Sequence, residues 1–182
     1  MDAQQACALI AKGEGQRIEF KKSFAEENDA IITLCAFAHS KGGTVLFGIN
    51  DYGEIIGCQL GRNTLENFAN NIQRNTDSRL APTIETVNIE GRVLVVADIE
   101  KLRSDEVVFA FQSAYVRVGK TNQVMRPERI LARLKSDTQG AAVGAKYAAV
   151  QRATATGFRK QIVIGRLASA QVEMDPGGSR VP

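Results

Sequence analysis

The chain has 182 residues, 44% of them apolar and 24% charged, enough to bury the core of one domain but cramped for two. No apolar run reaches the roughly 18–20 residues needed to span a bilayer, and the N-terminal "MDAQQACALIAKGEG" has too short a greasy stretch for a signal peptide, so a cytoplasmic protein with no membrane association is expected. The net charge of +3 is unevenly spread: residues 1–137 carry 17 Lys/Arg against 18 Asp/Glu, whereas residues 138–182 carry 6 against 2. A nucleic-acid ligand would therefore need a local basic patch or help from the basic tail.

In chain order, residues 4–12 predict a short helix closed by Gly13. "QRIEFKKSF" (16–24) alternates as a strand, with Ile18 and Phe20 on one face and Arg17, Glu19 and Lys21 on the other. "ENDAIITLCAFAHSKGG" predicts a helix started by Asn28 or Asp29, with Ile31, Leu34, Cys35 and Ala38 on its inner stripe and Gly42 as its left-handed exit. "TVLFGI" (44–49) is apolar throughout, as a strand covered on both faces should be. The turn residues Asn50, Asp51 and Gly53 lead into "EIIGCQL", which predicts a hairpin over 44–60.

Residues 64–76 suit an amphipathic helix with Leu65, Phe68, Ala69 and Ile72 inward. Residues 82–100 alternate on either side of Glu90-Gly91, a second hairpin. Strand material flanks a turn in "VVFAFQSAYVRVGKTNQVM", and 126–135 closes the domain as a short helix with Pro127 in its first turn. After Asp137 the composition becomes rich in Ala and Gly. The sequence thus predicts a domain over 1–137, and a basic, partly flexible C-terminal tail over 138–182. The fold class expected is α/β (α+β): a mixed sheet built from hairpins and packed against helices. One pleated layer holding Phe20, Leu46 and Val116 is the arrangement expected of it.

Three sets of residues are candidates for chemistry. Glu14, Glu19 and Asp51 form an acidic set suited to a hard cation such as Mg²⁺ or Mn²⁺ if they converge. Glu14 and Glu19 are five apart, so a regular strand sends them to opposite faces unless the chain turns at 13–15. The alternative is that the glutamates are solvated strand-edge charges and Asp51 a turn former. Lys21, Lys22, Lys41, Arg117, Lys120 and Arg126 form a basic set at strand ends and turns; Arg117, between Val116 and Val118, is expected to point away from the core and toward phosphates. The alternative there is a solvated face with offsetting acids.

"SKGGT" follows a helix and precedes a strand, the reverse of a P-loop, so it is read as helix termination rather than an ATP site. Cys35 and His39 share a helix face, but Cys35 also belongs to the inner stripe and is read as a buried thiol. Cys7, Cys35 and Cys58 show no metal-ligand spacing.

Three segments, "LIAKGEGQRIEFKKS", "AFAHSKGGTVLFGINDYGEIIG" and "AYVRVGKTNQVMRPERI", resemble in order and spacing the Schlafen AlbA-like domain family, over about residues 8–136. The resemblance implies an α/β sandwich whose sheet presents a nucleic-acid-binding surface. It implies a nucleic-acid-binding module of a transcriptional regulator, with DNA expected before RNA as its ligand and no cofactor required. The Schlafen branch also includes metal-dependent RNA-cleaving enzymes with a Glu, Glu, Asp triad, which Glu14, Glu19 and Asp51 match; an Mg²⁺- or Mn²⁺-dependent endoribonuclease is thus the alternative implied. Those relatives pair two copies of the fold, so a homodimer is also implied.

Overall fold

The computed structural model describes residues 1–77 and 80–134; the predicted tail over 138–182 lies outside the described residues. The chain runs α1 (Ala3–Lys12), β1 (Ile18–Lys21), a single 3₁₀ turn (Phe24–Glu26), α2 (Glu27–Ala38), β2 (Gly43–Phe47), α3 (Thr64–Asn75), β3 (Thr83–Ile89), β4 (Arg92–Ile99), β5 (Tyr115–Val118), β6 (Thr121–Val124) and α4 (Pro127–Leu134). Four strands form one sheet in the order β1-β2-β4-β3; β5 and β6 form a separate ribbon.

β2 is the centre of the structure for the reason its composition suggests. All five of its residues are buried, and it is flanked by β1 in parallel and β4 antiparallel. Alternation along the strands then makes two cores. Val45, Phe47, Val95, Ala97 and Ile99 face α2 and α3, while Ile18, Phe20, Leu46, Leu94 and Val96 face the other way, onto α1. Phe24, Phe47 and Phe68 interlock on the first face, with ring centroids 4.5–5.4 Å apart. Each such pair adds about 0.5–1.5 kcal/mol beyond area burial.

Local signals act where expected. Asp2 caps α1 in a capping box with Gln5, and Gly13 ends the helix at φ +70°. Glu90 and Gly91 both have positive φ, the geometry of a tight hairpin turn between β3 and β4. α2 is buried nearly all round, so its stripe cannot be read by amphipathicity alone. Its start differs from expectation: neither Asn28 nor Asp29 caps it, because Ser23 caps the 3₁₀ turn that feeds directly into it. Ala69, expected inward on α3, is exposed, whereas Phe68 and Ile72 are buried.

Two larger expectations are overturned. Residues 44–60 do not form a hairpin. Both edges of β2 are already taken by β1 and β4, and the returning segment pairs only past the strand's end, through the bridge Ile49–Ile55 and the Ile56 and Gly57 N–H groups on Gly48 O, before Cys58 N–H bonds to Val93 O. Nor do Phe20, Leu46 and Val116 share a layer. Phe20 pairs with Leu46, but Val116 lies in the β5–β6 ribbon and belongs to a third core with Val107, Ala114, Met125 and Ile130. Residues 100–114 carry the chain off the sheet, and β5 docks on α2 instead.

Candidate functional site

Each acidic candidate has a partner of its own. The Gly13–Gly15 segment does turn before β1, but that brings Glu14 to the strand's outer edge. Its Oε1 accepts the Phe20 N–H at 3.1 Å, while Gly15 N–H bonds to Ile18 O at 2.9 Å. Glu14 therefore covers an edge donor that would otherwise be unpaired. Glu19 points to the α2 side, between Lys21 Nζ at 3.1 Å and the Arg117 guanidinium at 2.5 Å. Asp51, 77% exposed at its turn, pairs with Lys22 at 2.6 Å. Among the described residues no group of three His, Cys, Asp or Glu side chains is placed to hold a metal ion, so this donor set does not fit Mg²⁺ or Mn²⁺.

The basic candidates do not share one plane. Lys21 and Lys22 sit at the far end of β1, where Lys21 lies opposite Phe47. Lys41 precedes β2 at the other end, where Ile18 lies opposite Thr44, about 10 Å of strand away. Lys120 and Arg126 are exposed on the β5–β6 turn and ahead of α4.

Arg117 is the clear correction. Its residue is 2% exposed, and the side chain points inward rather than away from the core. Nε and one terminal nitrogen donate to Gly15 O at 3.1 and 3.0 Å, the other nitrogen donates to Asn122 Oδ1 at 2.9 Å, and the guanidinium lies 5.1 Å from the Phe37 ring centroid. Alternation with valines identified the face correctly. That face meets α2 and β1 instead of solvent, because the ribbon packs there.

A groove of about 350 Å³ does collect cations, by a construction that sequence periodicity does not reveal. Gly42, at φ +69°, brings two segments into contact: a Cβ there would lie 2.8 Å from Ile99 O and 3.0 Å from Lys101 N. Leu102 N–H then bonds to Ala38 O at 2.8 Å. Lys41 and Lys101 are thereby set on adjoining loops. α4 is fastened to the same loops by one side chain: Arg133 donates to His39 O at 3.1 Å, Arg103 O at 3.0 Å and Glu106 O at 3.1 Å. Among the described residues five cations line the groove (Lys41, Lys101, Arg117, Arg129 and Arg133), and no carboxylate does. Arg117 and Arg133 are engaged in holding its walls. Lys41, Lys101 and Arg129 are exposed, and none is ion-paired or hydrogen-bonded through its side chain among the described residues.

Beneath the groove, His39 links α2 to its neighbours. Val108 N–H donates to Nε2 at 3.0 Å, which leaves the proton on Nδ1 to donate to Tyr115 O at 2.8 Å. Burial lowers its pKa to about 4, with Arg133 and Arg129 adding to the effect, so it is neutral near pH 7. Burial also raises the Cys35 thiol to about 12, which removes it as a nucleophile, in agreement with the reading from its inner-stripe position. Arg129 likewise disfavours the charge on Arg133, behind the effect of burial, whereas Asp105 and Glu106 favour it. Of those two acids, Asp105 is paired to Arg103 at 3.1 Å, and Glu106 accepts the Arg103 N–H at 3.2 Å.

Lys101, Arg129 and Arg133 escape sequence reading because Lys101 lies on the loop after β4 and the two arginines on α4, segments that only tertiary contacts unite with Lys41. Their one advance signal was the crowding of cations in "YVRVGKTNQVMRPER", to which Arg129 belongs.

Among the described residues no helix is long and apolar enough to cross a membrane. Among curated proteins none matches the chain. The crystal structure of the DIP2311 protein from Corynebacterium diphtheriae is similar in fold, with a TM-score of 0.56 and 17% identity; the match covers 72% of this chain but only 28% of that one. The solution structure of the N-terminal domain of a DNA helicase RecG-related protein from Nitrosomonas europaea aligns with a TM-score of 0.48 and 22% identity, over 65% of this chain and 91% of that domain. The family profile described as Schlafen, AlbA_2 matches residues 14–126, and the chain belongs to that family.

Proposed function

We propose that the chain is a nucleic-acid-binding module that acts without turnover, as the DNA-directed part of a cytoplasmic transcriptional regulator working as a homodimer. Membership of the Schlafen AlbA_2 family supports the ligand class. The observation that carries the reading is the groove where, among the described residues, three cations, Lys41, Lys101 and Arg129, are unpaired and no carboxylate lines the wall. Like charges crowded together repel, and a phosphate backbone relieves that repulsion while releasing its own condensed counterions. The alternative, an Mg²⁺- or Mn²⁺-dependent endoribonuclease, draws no support from the positions of Glu14, Glu19 and Asp51.

Fluorescence anisotropy with a labelled oligonucleotide tests the reading. Three phosphate contacts give a log–log salt slope of about −2 on a single strand and about −2.7 on a duplex. Combined alanine replacement of Lys41, Lys101 and Arg129 is expected to abolish the salt-dependent binding. Absence of binding by the unaltered protein at low salt overturns the proposal.

A further inference from the structure

The groove also bears on which form of nucleic acid it accepts. Its volume, about 350 Å³, lies near the lower end of small-ligand sites, roughly 300–1,000 Å³, and Lys41, Lys101 and Arg129 reach it from three separate segments around one depression. A site of this shape suits a chain that can enter it. A duplex is instead read by a helix or ribbon that projects into the major groove, about 12 Å wide. The exposed elements here are poorly equipped for that task. α3 carries a single cation, Arg74, in its last turn, and an acid, Glu66, in its first. α4 has eight residues, and its Arg133 is fastened to three carbonyls. The β5–β6 ribbon turns both Arg117 and Asn122 inward, where Asn122 also donates to Thr33 Oγ1 at 2.8 Å, and only Lys120 remains at its tip.

The groove wall supplies a second, independent observation. Val118 lines it and is 46% exposed, with buried Val116 beside it. An apolar wall next to unpaired cations gains from a ligand that offers a charged phosphate and an accessible sugar or base face together. Unstacked nucleotides present such faces, whereas a duplex keeps its base faces stacked inside.

Resting on the nucleic-acid reading above, we infer that this groove binds a single-stranded segment, with Lys41, Lys101 and Arg129 on successive phosphates and Val118 against the exposed sugar or base. The three cations address phosphates rather than base edges, so the contact is tolerant of sequence.

The test uses the full chain with one labelled oligonucleotide, first as a single strand and then as a duplex with its complement. The single strand is expected to bind at least about tenfold more tightly at equal salt. Lys41→Ala and Arg129→Ala should each flatten its salt slope by about 0.7. Val118→Ser should weaken single-strand binding without changing that slope. Lys120→Ala and Arg62→Ala, both exposed and outside the groove, should leave affinity within about twofold. Melting temperatures of every variant within about 2 °C of the parent exclude misfolding, since all these positions are on the surface. Equal or tighter duplex binding overturns this inference while leaving the nucleic-acid reading intact. Single-strand binding that is lost with Lys120 but not with Lys41 or Arg129 overturns the groove as its site. Failure to bind either form overturns both.

Discussion

Replacing Arg117 with alanine separates a structural arginine from a ligand-contacting one. The substitution removes two hydrogen bonds to Gly15 O, one to Asn122, the ion pair with Glu19 and the contact with the Phe37 ring. It leaves Glu19, whose side chain is 13% exposed, with Lys21 as its remaining cation at 3.1 Å. Breaking a buried pair on one side costs about 3–5 kcal/mol, and the surviving Lys21 contact places this case at the lower end, about 3 kcal/mol. Against a typical total stability of about 5–15 kcal/mol this is a large fraction. For a chain of this length it corresponds to a fall in Tm of roughly 6–12 °C.

Thermal and urea denaturation followed by circular dichroism would measure the effect. Because the pair is shielded from solvent, the loss should change little with salt. The double substitution Arg117→Met with Glu19→Gln should recover part of it, since no charge is then stranded. Lys120→Ala, on the adjacent turn, should shift stability by less than about 0.5 kcal/mol. The reasoning is refuted if Arg117→Ala melts within about 2 °C of the parent yet loses oligonucleotide affinity, for that is the behaviour of an exposed phosphate contact.

Two further outcomes follow from the same geometry. Gly43→Ala is expected to destabilise the fold by about 1–3 kcal/mol in urea titration, because the added methyl would lie 2.6 Å from Arg17 O and 2.7 Å from the Phe37 ring. His39 should make stability fall in acid. Its pKa in the fold, about 4, lies below the ordinary 6.5, so the unfolded chain binds the extra proton first; the contribution is complete above about pH 6.5 and is lost as pH falls toward 4. The loss is on the order of 3 kcal/mol, measurable as urea midpoints across that range, and it should be absent in His39→Gln.

Much of the secondary structure was legible because its causes are local. Gly13 and Gly42 stop helices through a backbone conformation that other residues adopt with strain, Glu90-Gly91 makes a tight turn, and the unbroken run 44–47 marks a strand with two covered faces. Family membership was legible too, since three motifs keep their order along the chain. The hairpin over 44–60 was misread because turn residues report that the chain bends, and say nothing of which strand then takes the vacant edge. β4 does so from about fifty residues away.

The site divides along the same line. The sequence by itself placed Lys41 at a helix exit, put Glu19 and Lys21 on one face of β1 and put Cys35 among the buried residues. Whether a charge on a strand meets solvent or another element is decided only when the layers are assembled. Arg117 alternates as an outward residue should, but the ribbon that carries it lies over α2 and β1, and its guanidinium becomes an internal tie. Lys101 and Arg129 have no sequence relation to Lys41. They share a groove with it because Gly42 permits two loops to touch and Arg133 holds α4 against both, and such long-range contacts leave no periodic trace in the order of residues.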